Sequence, residues 1–311
     1  WMPAAEYVLL EDPDIIARVS ADPRGFLDDL RRPVILDEIQ NTPALFSYIR
    51  TLMDAHPSRY GQWFLTGSQE APLMRGVTES LAGRAAVFQL LPFAYEECDE
   101  VSPLRGGFPE VLARPGAAAT WLRSYVQTYL ERDVRAVSGI RDLATFRRFL
   151  ALVASRSAQM LNKTDLAAPL GVSIPTITQW LSILEVTGQI ALVPPFYENL
   201  GQRLVKTPKL FFLDSGLLCH LLGVLDRAAL ARSPFRGVIC ETFVAAEILK
   251  HRLHRGRPRG LYYFRDRLGL EVDFVVDEGN NNITLLEVKA TRTPMPADAR
   301  PALALMGCLR R

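Results

Sequence analysis

The stretch Arg31-Arg32-Pro33-Val34-Ile35-Leu36-Asp37-Glu38-Ile39-Gln40 decides how the first third of the chain is read. Pro33 closes a charged turn, Val34-Ile35-Leu36 is a short continuous apolar run, and Asp37-Glu38 stand at its end. An apolar run bounded by turn signals predicts a strand buried on both faces, as in a parallel sheet. Carboxylates at the C-terminal end of such a strand lie where open α/β sheets bind ligands. Two of them suit one task. Asp37 would hold a magnesium-bound water, and Glu38 would orient or deprotonate the water that attacks a phosphoryl group. The plainer alternative is that the pair caps a helix starting at Ile39.

About two dozen residues on, Trp63-Phe64-Leu65-Thr66-Gly67-Ser68 is a second apolar run that ends in small hydroxyl residues. Ser80-Leu81-Ala82-Gly83-Arg84 and then Val87 to Phe93 follow. VILDEIQ followed by FLTGSQ resembles the Walker B strand and the sensor strand of AAA+-type P-loop ATPases. The order of the segments resembles the prokaryotic ATPase family with a C-terminal domain of unknown function. The resemblance implies ATP and Mg²⁺ as cofactors, Thr66 or Ser68 as the sensor of the γ-phosphate, and Arg84 as a charge-stabilising contact to phosphate. That contact would be made in cis or on a neighbouring subunit of a homo-oligomer. Read without the resemblance, Thr66-Gly67-Ser68 is a plain turn and Arg84 a solvated arginine.

The family also needs a phosphate-cradling loop, G-x-x-x-x-G-K-[ST], ahead of Walker B. No Gly-Lys pair occurs in the sequence, and Gly201 to Thr207 lacks the second glycine. The expected first strand, Tyr7 to Leu10, is one that follows the P-loop and its helix in the family. The expectation is therefore a domain truncated at its N-terminus, with no useful ATP affinity of its own. Residues 1–92 alone are expected to be poorly soluble or molten, because a missing central strand leaves backbone groups unpaired.

Composition sets the remaining bounds. A length of 311 residues allows two or three domains. A net charge of +2 argues against any global field for nucleic acid, so such a surface has to be local. No apolar run reaches membrane-spanning length and no signal peptide is visible. Cys98, Cys219, Cys240 and Cys308 lack metal-ligand spacing, which points to a reduced, cytoplasmic protein.

Along the chain, residues 1–92 read as the ATPase part, with helices after Asp12, before Walker B, and through Leu45, Ile49, Leu52 and Met53. Residues 93–143 read as a helical connector. Its stripe of Trp121, Tyr125, Tyr129 and Leu130, ahead of Glu131-Arg132-Asp133, is most simply core.

In residues 144–204 a helix through Phe146 and Val153, a second from Lys163 to Leu170, a Gly171 turn and a third from Ile174 to Thr187 precede an alternating strand, Ile190 to Val193. This order resembles a winged helix-turn-helix. If the third helix enters a major groove, Thr176, Thr178 and Gln179 would face DNA bases. The exposed face carries no arginine or lysine to anchor phosphate, and the alternative is a fold used for protein contacts alone.

Residues 205–311 combine a strand at Lys209, a helix from Val238 to Lys250 bearing Glu241, and strands around Asp273 and Leu285-Leu286-Glu287-Val288-Lys289. Asp273, Glu287-x-Lys289 and Glu241 resemble the core of PD-(D/E)XK nucleases. Asp273, Glu287 and Glu241 would bind Mg²⁺ and Lys289 would position water. The alternative is an inactive or regulatory module. The basic run Lys250 to Arg259 reads as a solvated helix end and loop, and His251 and His254 do not read as a metal site.

The fold expected is thus α/β: a partial P-loop (AAA+-like) parallel sheet, then a helical and winged-helix segment and a restriction-endonuclease-like domain. The function expected is that of an AAA+-like ATPase. The alternatives are a Mg²⁺-dependent DNA nuclease and a catalytically silent DNA- or protein-binding module.

Overall fold

A computed structural model describes residues 4–67, 79–130, 142–196, 207–280, 282–291 and 293–309. The chain divides into two compact units, residues 1–87 and 88–311.

In the first unit, strand β1 (Glu6–Leu9) leads into helices α1 (Pro13–Ala21) and α2 (Pro23–Asp29). Asp12 and Asp22 cap these helices, accepting from the Asp14 and Gly25 amides, and each is followed by a proline whose fixed φ suits a first turn. Strand β2 (Val34–Asp37), a short 3₁₀ turn (Ile39–Asn41), helix α3 (Leu45–Ala55) and strand β3 (Trp63–Leu65) follow. The strands form a parallel sheet in the order β1-β2-β3, with Val8 opposite Leu36 and Leu36 opposite Leu65. Helical crossovers are what parallel neighbours require.

One expectation needs correction. Val34 and Leu36 are fully buried, but Ile35 and Asp37 are only half-buried, so β2 is buried on one face rather than both. Val19, Phe26, Leu27, Leu45, Phe46 and Ile49 from the three helices all enter a single core with Val34 and Leu36.

The second unit opens with α4 (Pro109–Ala113) and α5 (Ala118–Ser124), which runs on as a wider π-type turn over Tyr125–Leu130. Then come α6 (Leu143–Ser155), β4 (Gln159–Met160), α7 (Lys163–Ala167), α8 (Ile174–Val186), β5 (Ile190–Val193) and β6 (Lys209–Phe212). The second helix is shorter than expected. Pro169 lacks an amide donor, so residues 168–170 tighten to a 3₁₀ turn, and Gly171 closes it at φ 66°. The three strands form an antiparallel sheet in the order β4-β6-β5.

Helices α9 (Ser215–Leu221), α10 (Arg227–Arg232) and α11 (Arg236–Leu253) precede strands β7 (Leu261–Arg265), β8 (Glu271–Gly279) and β9 (Asn282–Leu286), and α12 (Arg300–Leu309) follows. The sheet β7-β8-β9 is antiparallel, and a parallel bridge between Pro195 and Tyr263 joins it to the end of β5.

Strand β6 separates two cores. Leu210 and Phe212 pack with Phe146, Phe149, Trp180 and Leu184, whereas Phe211 and Leu213 pack with Leu249, Tyr263 and Phe274. The same holds for β5, where Ile190 enters the first core and Ala191 and Val193 the second. Alternate residues of these strands therefore enter two different interiors. Among the described residues, no single helix is long and apolar enough to cross a membrane.

Candidate functional site

In the first unit the C-terminal ends of β2 and β3 bring Asp37 and Thr66 together. The Leu10 amide donates to the Asp37 carbonyl at 2.9 Å, and the Thr66 amide donates to the Leu36 carbonyl at 3.0 Å, so the backbone there is held from both sides. The Thr66 hydroxyl donates to Asp37 Oδ1, and the Tyr7 hydroxyl donates to Oδ2 at 2.5 Å. These hydrogen bonds, Thr66 first, hold the Asp37 carboxyl below the usual carboxylate range, against the upward pull of burial. Asp37 is accordingly an anion that stays ionised through neutral pH.

Glu38 adopts the left-handed conformation (φ 57°, ψ 44°), unusual for a residue with a Cβ. Such a conformation costs on the order of 1 kcal/mol and turns the chain sharply at the strand end. Its carboxylate accepts from Gln40 Nε2 and makes no cap bond to the turn that follows, which argues against the helix-cap alternative. Arg84 is engaged by Asp54 of α3, with Nε 2.6 Å and Nη2 3.2 Å from its two carboxylate oxygens. Ser68 lies outside the described residues, as does Glu131-Arg132-Asp133.

In the second unit, β8 and β9 pair Phe274 with Leu286, which sets Asp273 beside Glu287 just past the end of β9. The Val288 amide donates to Asp273 Oδ2 at 2.8 Å. Lys289 Nζ lies 2.9 Å from Glu287 Oε2 and 3.8 Å from Asp273 Oδ2. The Glu287 side chain is only 10% exposed, and its Oε1 is buried with no hydrogen-bond partner among the described residues. Burial pushes the Glu287 carboxyl upward, Lys289 opposing the shift and Asp273 adding to it.

Glu241 of α11 is held by Lys209 of β6, which also reaches Glu271 of β8. Burial pushes the Glu241 carboxyl up to about 7, Lys209 pulling against the shift and Asp273 adding to it. Among the described residues, no three His, Cys, Asp or Glu side chains gather as a metal cluster. The structure thus brings Asp273, Glu287 and Lys289 together, and Glu241, close enough to feel the Asp273 charge, is paired with Lys209.

The residues expected to face bases sit on the first turns of α8. The Thr176 and Ser173 hydroxyls are 2.8 Å apart, Thr178 donates to the Ile174 carbonyl at 3.0 Å, and Gln179 is exposed. The basic run is the helix end and loop expected, and its Arg255 and Arg259, although partly exposed, have partners. Arg252 bonds to the Pro258 carbonyl and Glu278, Arg255 to Glu96, and Arg259 to Glu185. Lys250 is buried against the Phe93 carbonyl and Glu247.

Sequence reasoning missed Tyr7 and Lys209. Tyr7 read only as a strand residue; the register that pairs it with Ile35, two residues before Asp37, carries the signal but needs the sheet to be drawn. A lysine opening the apolar run Leu210 to Leu213 was the available sign for Lys209.

Three family models match the chain. Residues 3–98 match an AAA domain, residues 102–228 a domain of unknown function (DUF8612), and residues 236–306 another domain of unknown function (DUF4143). Uncharacterized proteins of Mycobacterium bovis and Mycobacterium tuberculosis are each 33% identical over 281 residues, covering 88% of this chain. The chain spans 62% of the length of these curated relatives. No solved structure matches. The N-terminal part of the chain is an AAA-like domain, and its C-terminal part carries the DUF4143 domain.

Proposed function

We propose that Asp37, Glu38 and Thr66 form the water-activating half of an AAA-like ATPase site. One observation carries this reading: the sensor-position hydroxyl of Thr66 is bonded to an ionised Asp37 across adjacent parallel strands. The residues fit Mg²⁺–ATP, because a carboxylate that still has free lone pairs is a suitable acceptor for metal-bound water. Bound there, the ion would neutralise charge on the phosphates. Glu38, turned away from the strand axis, would orient the attacking water; Thr66 or Ser68 would sense the γ-phosphate. Arg84 would exchange Asp54 for phosphate, its own or that of a second copy in a homo-oligomer.

No Gly-Lys pair is present, so this reading assigns no phosphate cradle to these residues. The test is ATP turnover by the full-length protein and its Glu38→Gln variant. The expected outcome is turnover that falls about 100-fold or more in the variant while ATP is still bound. Equal turnover would overturn the reading.

A second reading is favoured by the buried, unpartnered Glu287 Oε1 beside Asp273. Asp273 and Glu287 would hold one Mg²⁺, whose oxygen-ligand chemistry they match, and Lys289 would position water for cleavage of a DNA phosphodiester. The helix–strand–helix–helix–strand–strand order of α6 to β6 supports a winged-helix role for α8, with Thr176, Thr178 and Gln179 toward the DNA. Incubating the chain and its Asp273→Ala variant with plasmid and single-stranded DNA, with Mg²⁺ or Mn²⁺, tests this. Cleavage by the wild type alone is expected. Intact DNA with both proteins would leave the C-terminal unit a binding module.

A further inference from the structure

Lys209 is a lysine with a 6% exposed side chain standing among carboxylates. Its Nζ lies 3.3 Å from Glu241 Oε1 and 2.8 Å from Glu271 Oε1, and 5.3 Å from the centre of the Tyr263 ring. Three elements therefore converge on one ammonium: β6 supplies it, and α11 and β8 supply its carboxylates. Glu271 and Asp273 are two apart on β8 and so share a face of that strand.

A lysine this buried needs a reason to sit here, since a desolvated ammonium is costly unless paired. The neighbourhood gives one. Glu241, Glu271, Asp273 and Glu287 are four carboxylates, facing Lys209, Lys289 and, on Glu271, Arg265. Four carboxylates, with those of Glu241 and Glu287 pushed upward by burial, against three cations leave at most one net negative charge, too little to hold two divalent ions. Removing Lys209 would unpair Glu241 and Glu271 around a vacated position lined by their oxygens, the donor set that hard divalent cations take.

We propose that Lys209 is a built-in counter-ion standing where a second divalent cation would otherwise bind, so that this carboxylate site takes a single metal and Glu241 is not among its ligands. The single metal rests on the second reading above; the exclusion of another rests on the placement of Lys209 alone.

The experiment is a calorimetric titration of the metal-free 311-residue chain with Mn²⁺, the free ion being followed by its paramagnetic resonance. Lys209→Met is expected to bind one more ion than wild type, and Lys209→Met/Glu241→Gln to return to the wild-type count. In the wild-type background, Glu241→Gln is expected to leave the count and affinity unchanged. That variant decides the matter if circular dichroism shows Lys209→Met to be unfolded. An unaltered count in folded Lys209→Met, or a tenfold loss of affinity in Glu241→Gln, would overturn the proposal. Asp273→Asn checks the underlying reading separately. If it leaves the wild-type count intact while Lys209→Met still gains an ion, the proposal stands and the metal site at Asp273 and Glu287 fails.

Discussion

The Thr66 hydroxyl donates to Oδ1 of Asp37, joining two adjacent parallel strands through residues 29 positions apart. On the other side of the same carboxylate, Tyr7 donates to Oδ2. The two donors stabilise the ionised form, and Asp37 is thereby fixed as an anion at the sheet's C-terminal end.

This arrangement sets an acid limit for the first unit. A carboxyl whose folded pKa is depressed contributes stability that is present above its unfolded pKa and is lost as pH falls through the folded value. Removing one donor with Tyr7→Phe is expected to bring the Asp37 pKa back toward its ordinary value. Acid unfolding of the variant, followed by circular dichroism, should begin at higher pH than in wild type. Superimposable acid transitions would count against the bond.

Glu241 acts with the opposite sign. Its folded pKa, about 7, lies above the usual glutamate value, so the folded state holds the proton more tightly than the unfolded chain does. Its stabilising contribution is complete at pH 4 and declines as pH rises toward 7, by at most roughly 3 kcal/mol. Thermal melts at pH 5 and pH 8 should show wild type losing stability over that interval, with a smaller loss in Glu241→Gln.

Asp214 is buried and accepts from the Gly107 amide at 2.7 Å and the Leu217 amide at 2.8 Å, with the Lys250 charge nearby. Asp214→Ala leaves both donors and the ammonium without that carboxylate. The expected loss in urea denaturation is on the order of 3 kcal/mol. A loss within experimental error would mean that loop and helix are held together by other contacts.

The same knot limits Gly107. A Cβ there would collide with the Phe93 carbonyl and lie 3.1 Å from Lys250 Nζ. The Phe93 amide donates to the Gly107 carbonyl at 2.9 Å and the Phe93 carbonyl accepts from Lys250 Nζ at 3.0 Å, so that carbonyl has little freedom to retreat. Gly107→Ala is expected to cost about 1–3 kcal/mol by overpacking, measurable as a lower Tm. Gly116→Ala, where a Cβ meets open space, serves as the control.

Much of this was legible in the sequence because local signals and tertiary roles agree. Pro33, the apolar triplet and Asp37-Glu38 mark β2 and its C-terminal end, and Ser173-Ile174-Pro175 marks the start of α8. Asp273 and Glu287-x-Lys289 were singled out by their resemblance to a nuclease core, and the pairing of Phe274 with Leu286 sets Asp273 beside Glu287. What escaped depends on pairings between distant segments. Leu210 to Leu213 reads as uniformly apolar, and nothing local tells that alternate residues enter different cores. The ion pairs of the run Lys250 to Arg259 were not legible because its partners Glu96, Glu185 and Glu278 lie far away in sequence. For the same reason Lys209 gave no sign of its carboxylates.

The central claim is that Asp37 helps hold the metal of a nucleotide complex, and calorimetry tests it most directly. ATP would be titrated into the full-length Glu38→Gln protein with Mg²⁺ and again with chelator, and then into the same protein with Asp37→Ala added. The account predicts ATP binding that Mg²⁺ strengthens in Glu38→Gln, with that strengthening lost when Asp37 is removed. Binding equally strengthened by Mg²⁺ without Asp37, or no binding at all, would contradict it.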